Sequence, residues 1–184
     1  MLNRTAAVFS LTLLLFAATG CQSAPQLQTE PVELPSAVGQ VVDSLYDVIS
    51  GPAGEARDWE RLRSLFHSDA RMVPMVPDQI SAAEDVRAAI LTPDDYIQRA
   101  GPALERDGFF EQEIARRGQV FGDFAHVWST YEGRRALADE KPFLRGINSI
   151  QLVRESGTWR VLQIVWEQEA QAGAVPPWFL PAAQ

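Results

Sequence analysis

Residues 143–169 read FLRGINSIQLVRESGTWRVLQIVWEQE, and they contain two runs of strand-forming residues on either side of the turn signal Ser156-Gly157. In the second run, apolar residues such as Ile164 and Trp166 alternate with other side chains, as in a strand with one buried face. Because a connection this short joins antiparallel neighbours, these residues predict a hairpin of two long strands.

The same pattern of strand-forming residues broken by turn signals extends upstream to Phe109. Turn signals at Gly122-Asp123 and around Ala136–Pro142 divide it, so that four strands are predicted in all. Their limits are Phe109–Phe121, Phe124–Arg134, Phe143–Glu155 and Trp159–Glu169. One face of these strands is apolar and the other is half apolar, so the sheet needs a cover on one side.

Three helices are predicted before the sheet. Their limits are Ser36 to Gly51-Pro52, Asp58 to His67-Ser68-Asp69, and Thr92 to Gly108. Each contains apolar residues at helical spacing, Thr92 is a typical capping residue, and Pro102 is expected to kink or divide the third helix. Helices packed on one face of an antiparallel sheet give an α+β domain.

Two short apolar segments, Ala70–Val76 and Val86–Leu91, lie between the second and third helices. Pro74 and Pro77 argue against a long strand here, because proline cannot donate a hydrogen bond to a strand ladder. The segments predict a loose hairpin, although Ser81-Ala82-Ala83-Glu84 is equally compatible with a capped helical turn.

The first 21 residues have the pattern of an export signal. Arg4 precedes an apolar run from Ala6 to Ala18, which is shorter than the ~20 residues of a membrane-spanning helix. Small residues, Ala18-Thr19-Gly20, stand directly before the only cysteine, and this pattern resembles the lipobox of bacterial lipoproteins. The resemblance implies that residues 1–20 are a signal peptide and that Cys21 carries acyl chains such as palmitate; a soluble secreted protein is the alternative.

A flexible tether is predicted at residues 21–35, which are polar and contain Pro25, Pro31 and Pro35. The lipid and the tether would hold the domain in the cell envelope. In Gram-negative lipoproteins, aspartate after the cysteine often signals retention in the inner membrane. Gln22 therefore favours the periplasmic side of the outer membrane in such an organism.

Composition excludes several classes of function. A lipidated Cys21 leaves no thiol for a disulfide or a nucleophile, and two histidines with scattered acids do not specify a metal site. The net charge of −8 argues against nucleic acid as a partner and against electrostatic adhesion to anionic lipid. No cofactor is predicted.

The order of elements from Ser36 to Ala170 resembles the nuclear transport factor 2-like, or SnoaL-like, cone fold. The similarity is carried by Leu65-Phe66-His67-Ser68-Asp69-Ala70, Trp128-Ser129-Thr130-Tyr131-Glu132 and Gly157-Thr158-Trp159-Arg160-Val161. It implies a domain over residues 36–170, in which a cone-shaped, curved antiparallel sheet packs against three N-terminal helices around a pocket. Members resemble one another while serving as isomerases, dehydratases, cyclases, association domains or binding modules, so the fold leaves the activity open.

Six residues are predicted to line this pocket as aromatic walls and polar contacts: Tyr46, Trp128, Tyr131, Asn148, Gln151 and Trp166. The alternative is that the aromatic side chains belong to the core. Alternation within a strand does not tell which of its two faces is turned inward.

No catalytic residue is assigned. The candidates for acid–base chemistry are the two histidines and three glutamates near the strands: His67, His126, Glu132, Glu167 and Glu169. Tyr46 or Tyr131 would polarise a carbonyl beside a histidine pair, as in a dehydratase. Both histidines also suit structural roles near the ends of elements, and most glutamates on strands face solvent.

The C-terminal tail, residues 171–184, contains the sequence VPPWFLP, which has too many prolines to extend the sheet and is too apolar for a solvated end. Trp178 and Phe179 are predicted to fold back over the cone, with a contact to a partner as the alternative. Proteins of the resembled fold often dimerise through the outer sheet face, and the half-apolar strands are compatible with a homodimer.

Two functions from different classes follow. The first is a lipid-anchored envelope protein whose pocket binds a small apolar ligand or whose surface binds a protein partner. The second is a small cofactor-independent enzyme, an isomerase, dehydratase or hydrolase, that acts on an apolar molecule bearing a carbonyl or hydroxyl. A carboxylate or histidine buried beside a tyrosine in a pocket would favour the enzyme, whereas tryptophans filling the pocket would exclude it.

Overall fold

The computed structural model describes residues 34–78 and 86–181. The predicted signal peptide, Cys21, most of the tether and the turn predicted at residues 81–84 lie outside the described residues. The described residues form helices and a six-stranded sheet. Among the described helices, none is both long enough and apolar enough to cross a membrane.

The helices are α1 (Ser36–Ile49), α2 (Trp59–Ser64), α3 (Pro93–Asp107) and α4 (Glu169–Ala172), and Pro177–Phe179 form a 3₁₀ turn. The strands are β1 (Phe66–Pro77), β2 (Val86–Ala88), β3 (Phe110–Phe121), β4 (Phe124–Arg134), β5 (Leu144–Glu155) and β6 (Thr158–Gln168). In the curved sheet they follow the order β2-β1-β6-β5-β4-β3. The predicted α+β class is confirmed.

The four long strands predicted from residue 109 onward are present, and their limits agree with the prediction to within one residue. Gly122 has a φ of 58° and Gly157 a φ of 80°, so both tight turns use glycine where a side chain would be strained. The pairs β3–β4, β4–β5 and β5–β6 are antiparallel, as their short connections require.

Strand β1 corrects the prediction for the segment around Pro74 and Pro77. β1 is twelve residues long, pairs antiparallel with β2 as the predicted hairpin requires, and pairs in parallel with β6. Pro74 removes only one hydrogen bond from this ladder: its carbonyl accepts from the Ala89 amide at 3.0 Å, on the side of the short strand β2, but it has no amide to donate in return. The parallel pair joins segments far apart in the chain, so the sheet is mixed rather than wholly antiparallel.

The structure also corrects two predictions about the helices, the end of the second and the division of the third. α2 ends at Ser64, and the predicted helix end His67-Ser68-Asp69 lies in β1, because the Leu65 carbonyl already accepts a hydrogen bond from Val161 of β6 at 2.9 Å. α3 continues through Pro102 without division, which leaves one helix of fifteen residues.

The core lies between the helices and the inner face of the sheet, defined as the face toward α1, α2 and α3. α1 buries Val38, Val42, Leu45 and Tyr46, and the sheet contributes Val127, Ile150, Leu152 and Val161. Each large aliphatic side chain that is fully buried stabilises the fold by roughly 1.5–3 kcal/mol relative to an exposed one. The inner face is thus the apolar face of the predicted strands.

Arg57 connects the ends of the helices to the start of the sheet. Its buried guanidinium donates hydrogen bonds to the carbonyls of Gly51 (2.6 Å) and Leu104 (3.0 Å), and its Nε donates to that of Ile49 (3.2 Å). Gly51 in turn exchanges two backbone hydrogen bonds with Phe109, at 2.7 and 3.0 Å. One side chain therefore sets where α1, α3 and β3 meet, and it satisfies carbonyls that a helix end leaves free.

The tail folds back onto the outer face of the sheet, opposite the helices. The Phe179 ring contacts Trp128 edge to face at a centroid distance of 5.2 Å, and the Phe179 carbonyl accepts a hydrogen bond from Thr130 at 2.5 Å. Arg117 lies over the half-exposed Trp178 ring at 5.1 Å. The chain itself thus covers part of the outer face, while a homodimer through the remainder stays a prediction.

Candidate ligand cavity

A cavity of about 290 Å³ lies between the inner face of the sheet and the three covering helices. Its lining is mainly apolar and includes Leu62 of α2, Leu104 of α3, and Ile150 and Ile164 of the sheet. Ligand pockets span roughly 300–1,000 Å³, so this cavity suits a small molecule. It is not filled by tryptophan, although Trp166 forms part of its wall.

All three tyrosines of the chain line this cavity: Tyr46 from α1, Tyr96 from α3 and Tyr131 from β4. Burial raises the pKa of each hydroxyl, and the nearby Glu111 carboxyl raises it further. The hydroxyls therefore stay protonated and are hydrogen-bond donors. Tyr96 and Tyr131 form no side-chain hydrogen bond with the rest of the described chain, which leaves both donors open to a ligand.

Glu111, near the start of β3, is the acid of the cavity. Within residues 34–78 and 86–181, the Asn148 amide is the one side-chain hydrogen-bond partner of its carboxyl. Burial raises the pKa of Glu111 to about 8, although Asn148 favours the ionised form and offsets part of the rise. At neutral pH most of the carboxyl is therefore protonated, and a small rise in pH converts it into a proton acceptor.

Hydrogen bonds connect the cavity to the seam between α1 and β3. Asn148 Nδ2 donates to the Tyr46 hydroxyl (3.0 Å), which lies 2.6 Å from Ser129 Oγ, and Ser129 donates to Glu113. Arg116 pairs with Glu113 at 2.6 Å. Because an ionised carboxylate only accepts, Ser129 must donate to Glu113 and Tyr46 must donate to Ser129. The Tyr46 hydroxyl thus donates its proton to Ser129 and not to a ligand in the cavity.

Four of the six predicted pocket residues meet at this cavity: Tyr46, Tyr131, Asn148 and Trp166. The structure corrects the assignment of the other two, because Trp128 and Gln151 lie on the outer face. Trp128 lies between the inward Ser129 and Val127 and packs against the tail. Gln151 is exposed between the buried Ile150 and Leu152. Successive strand residues point to opposite faces, so neither side chain reaches the cavity.

The acid–base candidates of the sequence all lie outside the cavity lining: His67, His126, Glu132, Glu167 and Glu169. His126 Nε2 lies 2.9 Å from Ser149 Oγ on the outer face. Glu132 accepts a hydrogen bond from Arg145 at 2.6 Å on that same face. Neither histidine lines the cavity, so the structure does not support the histidine pair that a dehydratase-like site would need.

Glu111 reaches the cavity because β3 contains a bulge. The register with β4 shifts between Glu113 and Ala115, so one extra residue, Ile114, interrupts the alternation. Without it, Gln112 and Ile114 would face inward and both acids would face outward. The acids are evident in the sequence, but no glycine or proline marks the bulge, so regular alternation points to the wrong face.

The lining of this cavity carries a narrow set of polar side chains. Its residues include no lysine, arginine or histidine that would balance a phosphate group. Within the described part of the chain, no group of three or more His, Cys, Asp and Glu side chains is placed to hold a metal ion. The chemistry available in the cavity is that of a carboxyl, three phenols and two amides.

The raised pKa of Glu111 makes stability depend on pH. Between the ordinary value of 4.5 and about 8, the folded state holds a proton that the unfolded state releases. The free energy of unfolding should therefore fall as pH rises through this window, by up to about 1.4 kcal/mol per pH unit, and should level off above it. Urea unfolding of the wild type and Glu111→Gln at several pH values measures the difference.

The control for this experiment is Glu140→Gln, which removes an acid from the exposed loop between β4 and β5 and should follow the wild type. Equal pH dependence in the wild type and Glu111→Gln would show that the Glu111 carboxyl titrates near its ordinary pKa.

No family model and no curated protein matches the sequence, whereas solved structures do. A nuclear transport factor 2-like protein of unknown function from Pseudomonas putida KT2440 has a TM-score of 0.54 and 13% identity, covering 77% of this chain and 95% of that one. A Nostoc punctiforme protein of unknown function with a cystatin-like fold has a TM-score of 0.53 and 14% identity, covering 80% of this chain and 94% of that one. LinA has a TM-score of 0.53 and 12% identity, covering 77% of this chain and 93% of its own. The described chain therefore has the nuclear transport factor 2-like cone fold.

Proposed function

We propose that the cavity binds a small, mainly apolar molecule that carries one carbonyl or hydroxyl group. The observation behind this proposal is the Glu111 carboxyl, which lines the cavity with the Asn148 amide as its single side-chain partner in the described chain, so that most of its hydrogen-bonding capacity is unused. A buried carboxyl costs free energy where its hydrogen bonds are not formed. The polar group of the ligand would supply a further bond, and the apolar wall around Leu104 and Ile164 would contact the remainder.

The available donors favour an oxygen acceptor on the ligand. At neutral pH the protonated Glu111 and the hydroxyls of Tyr96 and Tyr131 are all donors that face the cavity. Tyr46 contributes less, because its proton is directed to Ser129. A carbonyl oxygen accepts two hydrogen bonds, as a hydroxyl oxygen does, but it brings no further donor to a site that already holds several.

A probe of this chemistry is 2-naphthol, which is small and apolar and carries one hydroxyl. Its binding is measured by the change in tryptophan fluorescence, since Trp166 lines the cavity. Ala100→Phe places a ring in the cavity and should weaken binding about tenfold or more. Gln98→Phe introduces the same side chain at an exposed position of α3 and should leave the affinity unchanged.

Native mass spectrometry of the purified full chain then tests for a retained natural ligand. A mass that is present in the wild type and Gln98→Phe but lost in Ala100→Phe would support the cavity as its site. Equal affinity of both variants for 2-naphthol would place the probe elsewhere and contradict the proposal.

A second candidate function is proton transfer on such a molecule, as an isomerase or dehydratase requires. It is favoured by the pKa of Glu111, about 8, which allows this group to take up and release a proton near neutral pH. The ionised carboxylate would take a proton from the carbon beside a carbonyl. The Tyr96 or Tyr131 hydroxyl would donate to the resulting enolate oxygen, and the carboxyl would return the proton to carbon.

Deuterium exchange into cyclohexanone, followed by NMR in D₂O, tests this step. The wild type should accelerate exchange over buffer, with a rate that rises with pH and levels off above the Glu111 pKa of about 8, because only the carboxylate is the base. Glu111→Gln should lose the acceleration and Glu140→Gln should keep it. Acceleration that survives in Glu111→Gln would exclude this role.

The proposal also includes the location of the domain, which is anchored in the cell envelope by a lipidated Cys21. Its support is the sequence before that cysteine, an apolar run closed by small residues. Two or more acyl chains on one residue give stable anchoring, whereas a single chain is marginal. Gln22 favours the periplasmic side of the outer membrane in a Gram-negative organism.

Fractionation of cells that express the full chain tests the anchor. The wild type should be recovered in the membrane fraction and released by detergent, and Cys21→Ser should be lost from it because the thiol that accepts the lipid is absent. Ser23→Ala, a change of similar size two residues later, should behave like the wild type. Membrane recovery of Cys21→Ser equal to that of the wild type would refute lipidation as the cause.

A further inference from the structure

The hairpin tip, residues Phe121–Phe124, ends in two exposed aromatic rings. Phe121 is 77% exposed and Phe124 57%, and their ring centroids lie 5.8 Å apart across the turn. Large apolar side chains at such exposure are costly in water, and here two of them form one continuous surface. Within the described part of the chain, no other element covers this surface.

The charge within the hairpin tip is already neutralised. Asp123 Oδ1 lies 2.7 Å from Nε and 2.6 Å from Nη2 of Arg154, which is near the β5–β6 turn. The Arg154 amide also donates to the Asp123 carbonyl at 2.8 Å. A paired carboxylate is less costly to move to a region of low dielectric constant than a free one. The hairpin tip therefore combines exposed rings with a compensated charge.

The N-terminal segment joins the domain near the same end. Leu34, the first described residue, packs so close to Gly118 that a Cβ on this glycine would lie 2.8 Å from Leu34 Cδ2. Gly118 precedes Phe121 by three residues, about 10 Å along the strand. Twelve residues lie between Cys21 and Leu34, and the thirteen residue-to-residue steps span at most about 45 Å.

We propose that the hairpin tip inserts into the surface of the lipid bilayer that anchors Cys21, with Phe121 and Phe124 among the upper acyl segments. This inference rests on the proposed lipid anchor. The anchor makes the contact intramolecular, so that the burial of two rings is sufficient to hold it. The contact depends on the burial of apolar area and not on attraction between charges, which suits a protein whose net charge of −8 would be repelled by anionic lipid.

The proposed contact also orients the cavity. Glu111 of β3 pairs with Gly133 of β4 at the end of these strands that is far from the hairpin tip. Leu144 and Gln168 line the cavity at that same end. With the hairpin tip in the bilayer, this end of the cone points away from the lipid. The ligand would then enter from the aqueous side rather than from the membrane.

Fluorescence quenching by lipid tests this contact in the full, lipidated chain. The protein is reconstituted in vesicles of phosphatidylethanolamine and phosphatidylglycerol, with or without a nitroxide on the acyl chains. Phe124→Trp introduces a tryptophan at the tip, and Leu137→Trp introduces one at a 77% exposed position beyond the other end of β4. Relative to the parent chain, the nitroxide should remove most of the fluorescence added by Phe124→Trp and little of that added by Leu137→Trp.

Vesicle flotation separates the two possible failures. Protein that does not float with the vesicles overturns the anchor, and with it this inference. Protein that floats but shows no quenching at position 124, or equal quenching at both positions, overturns the tip contact alone and points to a protein partner for the rings. Quenching at position 124 that persists when phosphatidylglycerol is omitted supports insertion of apolar side chains over charge attraction.

Discussion

In β3, the extra residue Ile114 reverses the alternation of side chains, and both the cavity and its cover depend on this reversal. It turns Glu111 into the cavity and Glu113 toward α1. There Glu113 pairs with Arg116, which also pairs with Asp43 of α1. A single irregularity thus supplies the buried acid and fastens the helix that covers it.

The opposite wall depends on Arg57, whose guanidinium binds carbonyls at the ends of α1 and α3. Because Gly51 also pairs with Phe109, the same contact determines where β3 enters the cavity, two residues before Glu111. The surrounding polar groups are satisfied, and the aliphatic core is extensive. The fold can therefore carry one acid whose hydrogen-bonding capacity is only partly used, at a cost that is a fraction of the total stability, and keep it available for a ligand.

The two ends of the cone have different surfaces, and each is suited to a different environment. One end holds the cavity, with the Glu111 carboxyl and the hydroxyls of Tyr96 and Tyr131 that are available to a ligand. The other presents Phe121 and Phe124 beside the point where the chain arrives from Cys21. A domain arranged in this way would take its ligand from the aqueous side while it remains close to the bilayer, and its chemistry would be that of Glu111.

Local sequence patterns were sufficient to predict the long strands, the three helices and the α+β class, because alternation, helix caps and tight turns depend on residues that are neighbours in the chain. The parallel pairing of β1 with β6 was decided only in the folded molecule, since it joins distant segments. Residue type alone selected Tyr46 and Asn148, which line the cavity. An unmarked bulge in β3 decided that Glu111 faces inward, and the regular alternation of β4 turned Trp128 outward. The raised pKa of that acid likewise comes from the walls assembled around it, because burial is a property of the tertiary structure.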